Sequence, residues 1–154
     1  MAEKKERLLE VSAIENGTVI DHIPSKSLFK VISILNLEKI DSQITFGANF
    51  KSKKLGSKAI IKITNKFFEQ EEINKIAILA PDAKLSIIKD YEVIEKQVVQ
   101  LPDTIFGITK CFNPMCITNH EKVTPKYSVL NEKTASLKCE YCGKITEQNN
   151  FVFI

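Results

Sequence analysis

Four cysteines in the last third of the chain constrain its fold more than any other feature. Cys111 and Cys116 are separated by four residues, and after 22 more come Cys139 and Cys142, separated by two. Two short-spaced pairs a hairpin's length apart are the layout of a four-thiolate zinc site: each pair sits on a tight turn, and the two turns supply the tetrahedral corners. The chain from about residue 103 onward is roughly fifty residues, too short to bury a comfortable core of its own. Metal binding in a unit of this kind contributes about 10–16 kcal/mol of apparent folding free energy.

The alternatives are four free cysteines or two disulfides in an exported protein, or a redox-active pair at Cys139 and Cys142. The N-terminus, "MAEKKERLLEV", has no apolar stretch with a small-residue cleavage site, so it does not read as a secretory signal. A redox pair opens a helix after a strand, whereas "CEYCGKI" runs into strand-like sequence. His120, four residues beyond Cys116, competes as a ligand, but four cysteines already fill a closed shell. The reading is one structural Zn²⁺ on Cys111, Cys116, Cys139 and Cys142, with His120 a loop residue. Lys110, Lys138 and Lys144 flank the ligands and would offset their charge.

The preceding residues have a different rhythm. "LLEVSAI" (8–14) reads as a strand, "ENG" (15–17) as a hairpin turn and "TVIDHI" (18–23) as the partner strand. Leu28, Val31, Ile32 and Leu35 recur on one helical face. "QITFGANF" (43–50) alternates, with Ile44, Phe46, Ala48 and Phe50 on one side, and "KAIIKI" (58–63) is a β-branched strand. The segment 69–80 has an acidic first turn and an apolar face of Ile73, Ile76, Ala77 and Ala80, and Pro81 stops it. Strands at 83–88 and 91–97 complete the set. The order predicts an α+β, ferredoxin-like β-α-β-β-α-β domain with an extra N-terminal strand, both helices on one sheet face. Past the Pro- and Gly-bearing segment 98–107, "KYSVL", "TASLKC" and "NFVFI" read as short strands of a small all-β, zinc-ribbon-like domain. The expected domains are 1–99 and 100–154.

Several function classes are disfavoured. Of 22 basic residues only Arg7 is arginine, Trp is absent and there are three Tyr, so base-reading forks and stacking platforms are scarce. A zinc-ribbon nucleic-acid-binding protein is therefore the weaker alternative. Asp21 and His22, on a period of two, point to opposite faces and lack a nucleophile or second carboxylate for acid–base work. No phosphate-loop or dinucleotide motif occurs. Lys62 and Lys96 interrupt or end apolar strands, which marks an edge, a solvent-facing position or a phosphate contact. No apolar run approaches the ~18–20 residues of a membrane span, and the expectation is a soluble cytoplasmic protein.

"GTVIDHIP" (17–24), the helix beginning near Ser27, "KAIIKI", "LAPDAKLSIIKDYEVIEK" (79–96) and the cysteine tail together resemble the regulatory chain of aspartate carbamoyltransferase, in order and over nearly the whole chain. The resemblance implies a non-catalytic subunit of pyrimidine biosynthesis, with an N-terminal allosteric domain and a C-terminal zinc domain. That subunit would pair with a second regulatory chain and dock on the catalytic chain. The effectors it implies are the nucleoside triphosphates CTP, ATP and UTP. By carry-over Lys96 and His22 face the triphosphate, Asp21 the ribose and Lys62 the ribose–base region. Backbone at Ile14 and Tyr91 reads the base edge, while Val11, Ala13 and Val93 line the pocket. Asn113, Met115 and Lys144 are the expected contacts to the catalytic chain. Two departures stand out: Ser86 replaces an amide side chain, and Pro114 and Met115 replace polar residues in the first cysteine loop.

Overall fold

The computed structural model describes residues 13–131, 134–147 and 150–153. The first sheet has five strands: β1 (Gly17–Pro24), β2 (Ile44–Ser52), β3 (Gly56–Thr64), β4 (Lys84–Lys89) and β5 (Glu92–Val98). Their order is β2-β3-β1-β4-β5, with every neighbouring pair antiparallel. Strands β1 to β4 with helices α1 (Leu28–Ile34) and α2 (Gln70–Asn74) form the ferredoxin-like arrangement, and β5 extends it at the β4 edge. Of the expected first strand, residues 8–12 lie outside the described residues, while Ala13 and Ile14 have no strand pairing.

Local chemistry sets the elements. Asn36 adopts left-handed backbone (φ 53) just past α1, a side chain that tolerates the conformation ending a helix. Helix α2 opens on a capping box between Glu69 and Glu72, with Glu71 and Glu72 in its first turn. It is shorter than the periodicity predicts, because after Asn74 the chain tightens into a 3₁₀ turn, Lys75–Ile78. The β4–β5 hairpin turns on Asp90 and Tyr91, both at positive φ, the sign pattern of a type I′ turn.

The helices cover one sheet face. Leu28, Val31, Leu35, Ile73, Ile76, Ala77 and Ala80 pack on Ile20, Ile23, Ala59, Ile61, Ile63 and Leu85, all buried. Each large aliphatic side chain contributes roughly 1.5–3 kcal/mol by leaving water. The opposite face carries Val19, Lys62, Ser86 and Lys96. Two bulges redirect side chains. In β2, Ala48 and Asn49 oppose Ala59 alone, so Phe50 comes opposite Lys58 on the open face instead of sharing the side of Ile44, Phe46 and Ala48. In β1, Asp21 and His22 oppose Ile60 alone, with His22 at φ 61.

The remainder forms a second, all-β unit. A four-stranded sheet, β10-β9-β8-β6, joins β6 (Thr104–Phe106), β8 (Lys126–Asn131), β9 (Ser136–Cys139) and β10 (Ile145–Thr146). Strands β7 (Thr109–Lys110) and β11 (Val152–Phe153) pair beside it. Strands β8, β9 and β11 fall on the three predicted segments, whereas β6, β7 and β10 are too short for an alternation to register. The second core gathers Ile105, Tyr127, Leu137 and three of the four cysteines, together with Ile78 from the first unit. Leu101 packs against both cores.

Candidate functional site

Two reverse turns build the cysteine cluster. Cys111 follows β7, and the loop returns through a Cys116 N–H to Asn113 carbonyl hydrogen bond of 3.0 Å. Cys139 ends β9, where its N–H donates to the Lys144 carbonyl (2.9 Å) and its own carbonyl accepts from Gly143 (2.8 Å). Gly143 stands at φ 76, which glycine adopts without strain. The four Sγ atoms lie within 4.8 Å of one another. The Cys111–Cys142 and Cys116–Cys139 pairs are 3.6 and 3.7 Å apart, and no thiol is disulfide-bonded. A tetrahedron of sulfurs at 2.3 Å from a central zinc has edges of about 3.8 Å, so the donor set fits that ion.

The electrostatics agree. Burial pushes the Cys111 and Cys139 thiols up. Burial also raises Cys142, but hydrogen bonds from the Lys144 backbone, the Asn113 side chain and neighbouring thiols outweigh it and bring it to about 7. Four sulfurs this close ionise together only around a cation.

His120 stands outside the cluster, with Nε2 at 2.8 Å from the Pro114 carbonyl oxygen. Asn119, which sequence reasoning missed, braces the first loop: its side-chain amide donates to the carbonyls of Cys111 (3.0 Å) and Asn113 (2.7 Å). Thr118 donates to Cys116 Sγ at 3.2 Å. An isolated Asn or Thr in a loop carries no periodic signal that would mark it. The braced loop presents Met115, which is 79% exposed, and the half-buried Asn113 accepts from the Met115 N–H through its side-chain Oδ1 (3.1 Å). Lys144 is exposed on the second turn.

The open face of the first sheet collects cationic side chains. Lys62, Val19, Ser86 and Lys96 are direct register partners on β3, β1, β4 and β5. Three strand spacings separate the two lysines, about 14 Å of backbone. Lys58 Nζ contacts both Asp21 oxygens, at 3.1 and 3.2 Å. The bulge corrects the expectation that Asp21 and His22 diverge. His22 donates its N–H to Asp21 Oδ1 (2.6 Å), and its ring Nδ1 is buried, 3.6 Å from Asp21 Oδ2 and without a hydrogen bond. Burial lowers the Lys62 pKa, and the Asp21 charge opposes that shift.

At the other end of the face, the Tyr91 N–H donates to the carbonyl of Glu15, the residue after Ile14, at 2.9 Å. Val93 lies opposite Ile88, off the lysine row across a strand irregularity, and is about half exposed. Val11 lies outside the described residues.

Comparison with known proteins covers both units. The family described as "Aspartate carbamoyltransferase regulatory chain, allosteric domain" matches residues 9–100, and "Aspartate carbamoyltransferase regulatory chain, metal binding domain" matches residues 103–152. Proteins named aspartate carbamoyltransferase regulatory chain include one from Parabacteroides distasonis, 49% identical over 152 residues, 99% of each chain. That of Bacteroides fragilis is 50% identical over 154 residues, the whole of both chains. The one from Thermococcus sibiricus is 52% identical over 144 residues, 94% of this chain and 95% of its own. With both domains matched and half of all residues shared along the full length, the chain belongs to the aspartate carbamoyltransferase regulatory chain family.

Proposed function

We propose that this regulatory chain binds CTP, ATP and UTP on the open sheet face and transmits their binding to aspartate carbamoyltransferase catalytic chains in the cytoplasm. The observation that carries the reading is the placement of Lys62, Lys96 and the Asp21–Lys58 pair on the one face that the helices leave uncovered. A polyphosphate needs several cations, and Lys62 and Lys96 on this row, with Lys58 on the same face, are the ones offered to it. The regulatory chains it is similar to suggest a non-catalytic subunit, and Asp21 is taken up by Lys58 and by the His22 backbone.

In the domain of residues 100–154, Cys111, Cys116, Cys139 and Cys142 would hold one Zn²⁺, and a closed four-thiolate shell leaves it no open position for catalysis. The loop between Cys111 and Cys116 then becomes a rigid docking element whose Met115 and Asn113, with Lys144 beside them, meet the catalytic chain. In the domain of residues 1–99, β2 is an edge strand among the described residues, and beside it the exposed rings of Phe29 and Phe46 meet edge to face at 6.0 Å. That edge suits a regulatory homodimer. Control follows by linkage: a nucleotide shifts the assembly only by its differential affinity for the two quaternary states. Nucleic acid is not an expected partner.

The test is to mix the zinc-loaded chain with its catalytic trimer and measure assembly mass and aspartate saturation, with and without CTP and ATP. Lys96→Ala is expected to weaken nucleotide binding roughly ten- to a hundredfold, the loss of a charge-assisted hydrogen bond, while assembly persists. Assembly without any response to nucleotide, or binding unchanged by Lys96→Ala, would refute the assignment of this face.

A further inference from the structure

The chain between Ile14 and β1 is clasped from two sides. On the β3 side, the Asn65 N–H donates to the Asn16 carbonyl at 2.9 Å. On the side of the β4–β5 turn, the Tyr91 N–H donates to the Glu15 carbonyl (2.9 Å) and the Asp90 N–H to the Asn16 side-chain Oδ1 (3.3 Å). The three donors, Asn65, Asp90 and Tyr91, all sit in left-handed backbone, at φ 58, 51 and 65. Gly17 lets the segment approach this closely. At φ 143, a Cβ there would come within 2.0 Å of the Ile63 carbonyl oxygen.

The clasp lies away from the cationic row. Val19 belongs to that row, and Asn16 is three residues before it, about 10 Å along the strand direction. What the clasp fixes is the relation between the backbone of residues 15–16 and that of residues 90–91.

We infer that Asn16 is a positioning residue of the effector site, which holds residues 15–16 against the Asp90–Tyr91 turn and thereby sets affinity for the nucleobase end of the ligand without acting on its phosphates. This rests on the reading of the open face as the nucleotide site. The Asn16 side chain needs no contact with the ligand for this. Its Oδ1 ties β1's lead-in to the β4–β5 turn at the end of the open face, where the base of a nucleotide whose phosphates lie on the lysine row would come to rest.

The experiment uses the full zinc-loaded chain and titration calorimetry with three probes: CTP, ATP and inorganic tripolyphosphate. Asn16→Ala is expected to weaken both nucleotides by about three- to tenfold, the range of one ordinary hydrogen bond, and to leave tripolyphosphate binding unchanged. Asn16→Asp keeps the acceptor oxygen and is expected to keep the wild-type ratio of nucleotide to tripolyphosphate affinity. The inference is overturned if Asn16→Ala binds nucleotides as the wild type does, or if it loses tripolyphosphate in the same proportion. A wild-type chain that binds tripolyphosphate and neither nucleotide overturns the reading of the face itself, and the inference with it.

Discussion

Truncating Ile78 is expected to damage the metal unit, although the residue belongs to the turn that follows α2. Ile78 is 2% exposed and packs with Ile105, Tyr127, Leu137 and the buried cysteines rather than with the first core. Ile78→Ala removes three buried carbons, about 2.4 kcal/mol at ~0.8 kcal/mol each, and any cavity left behind adds to that, within the ~2–5 kcal/mol span of such truncations. Because metal binding and folding are coupled in a unit this small, 2.4 kcal/mol corresponds to roughly a fiftyfold loss of apparent metal affinity. The assay is competition for metal with a chromophoric chelator, beside urea unfolding. Ile73→Ala is the control: it deletes the same atoms, five residues earlier, from the first core alone. Ile73→Ala should lower stability and leave metal retention near wild type. If both variants retained metal equally, the argument that Ile78 is a wall of the metal unit would fail.

Three further outcomes follow from the same geometry. His120→Ala should keep one metal per chain by elemental analysis and cost about 1 kcal/mol or less, since it loses a single bond to Pro114; a halved stoichiometry would make His120 a ligand. Met115→Ser should leave the fold intact, because the side chain is solvent-exposed, and weaken association with the catalytic chain about tenfold in sedimentation or calorimetry; unchanged affinity would remove Met115 from the docking surface. Burial holds Lys62 below its ordinary 10.5, and the Asp21 charge offsets this only in part. A bound polyanion requires the charged form, so nucleotide affinity should fall as pH rises through that lowered pKa, before an ordinary lysine titrates. Lys62→Arg, which stays protonated, should move the fall to higher pH, and identical profiles would exclude Lys62 from the site.

The parts legible in the sequence were those governed by spacing. Cysteine intervals dictate turn-borne ligands, and the apolar periods of 28–35, 43–50, 58–63 and 83–88 place helix and strands because burial repeats with the element. What escaped was set by single residues that break the period. One inserted residue at Asn49 turned Phe50 to the open face, and one at His22 gathered it beside Asp21. No alternation predicts its own interruption. Asn16 and Asn119 escaped for a related reason: each is an isolated polar residue whose partners, Asp90 for one and the Cys111 carbonyl for the other, are fixed only by the tertiary fold.

Ile78 illustrates the same limit and gives it a functional consequence. On a 3.6-residue helix it lies about 140° round from Ile73, so the amphipathic reading of 69–80 leaves it off the buried face. It is buried because the second unit covers that side. Helix α2 and the 3₁₀ turn that continues it therefore carry Ile73 and Ile76 into the core beneath the open sheet face and Ile78 into the core around the cysteines. Asn74 adds a polar tie, its Oδ1 accepting the Gln100 N–H at 3.1 Å where the chain leaves the first sheet. A displacement of β3 or β4 by a ligand on the open face would reach α2 through close-packed side chains, and Ile78 lies in the 3₁₀ turn directly continuous with α2. Linkage makes that coupling reciprocal: if nucleotide binding alters metal affinity by some factor, metal loading must alter nucleotide affinity by the same factor. Ile78→Ala should shrink both together, whereas Lys96→Ala should weaken nucleotide binding and leave metal affinity in the unliganded chain as it was.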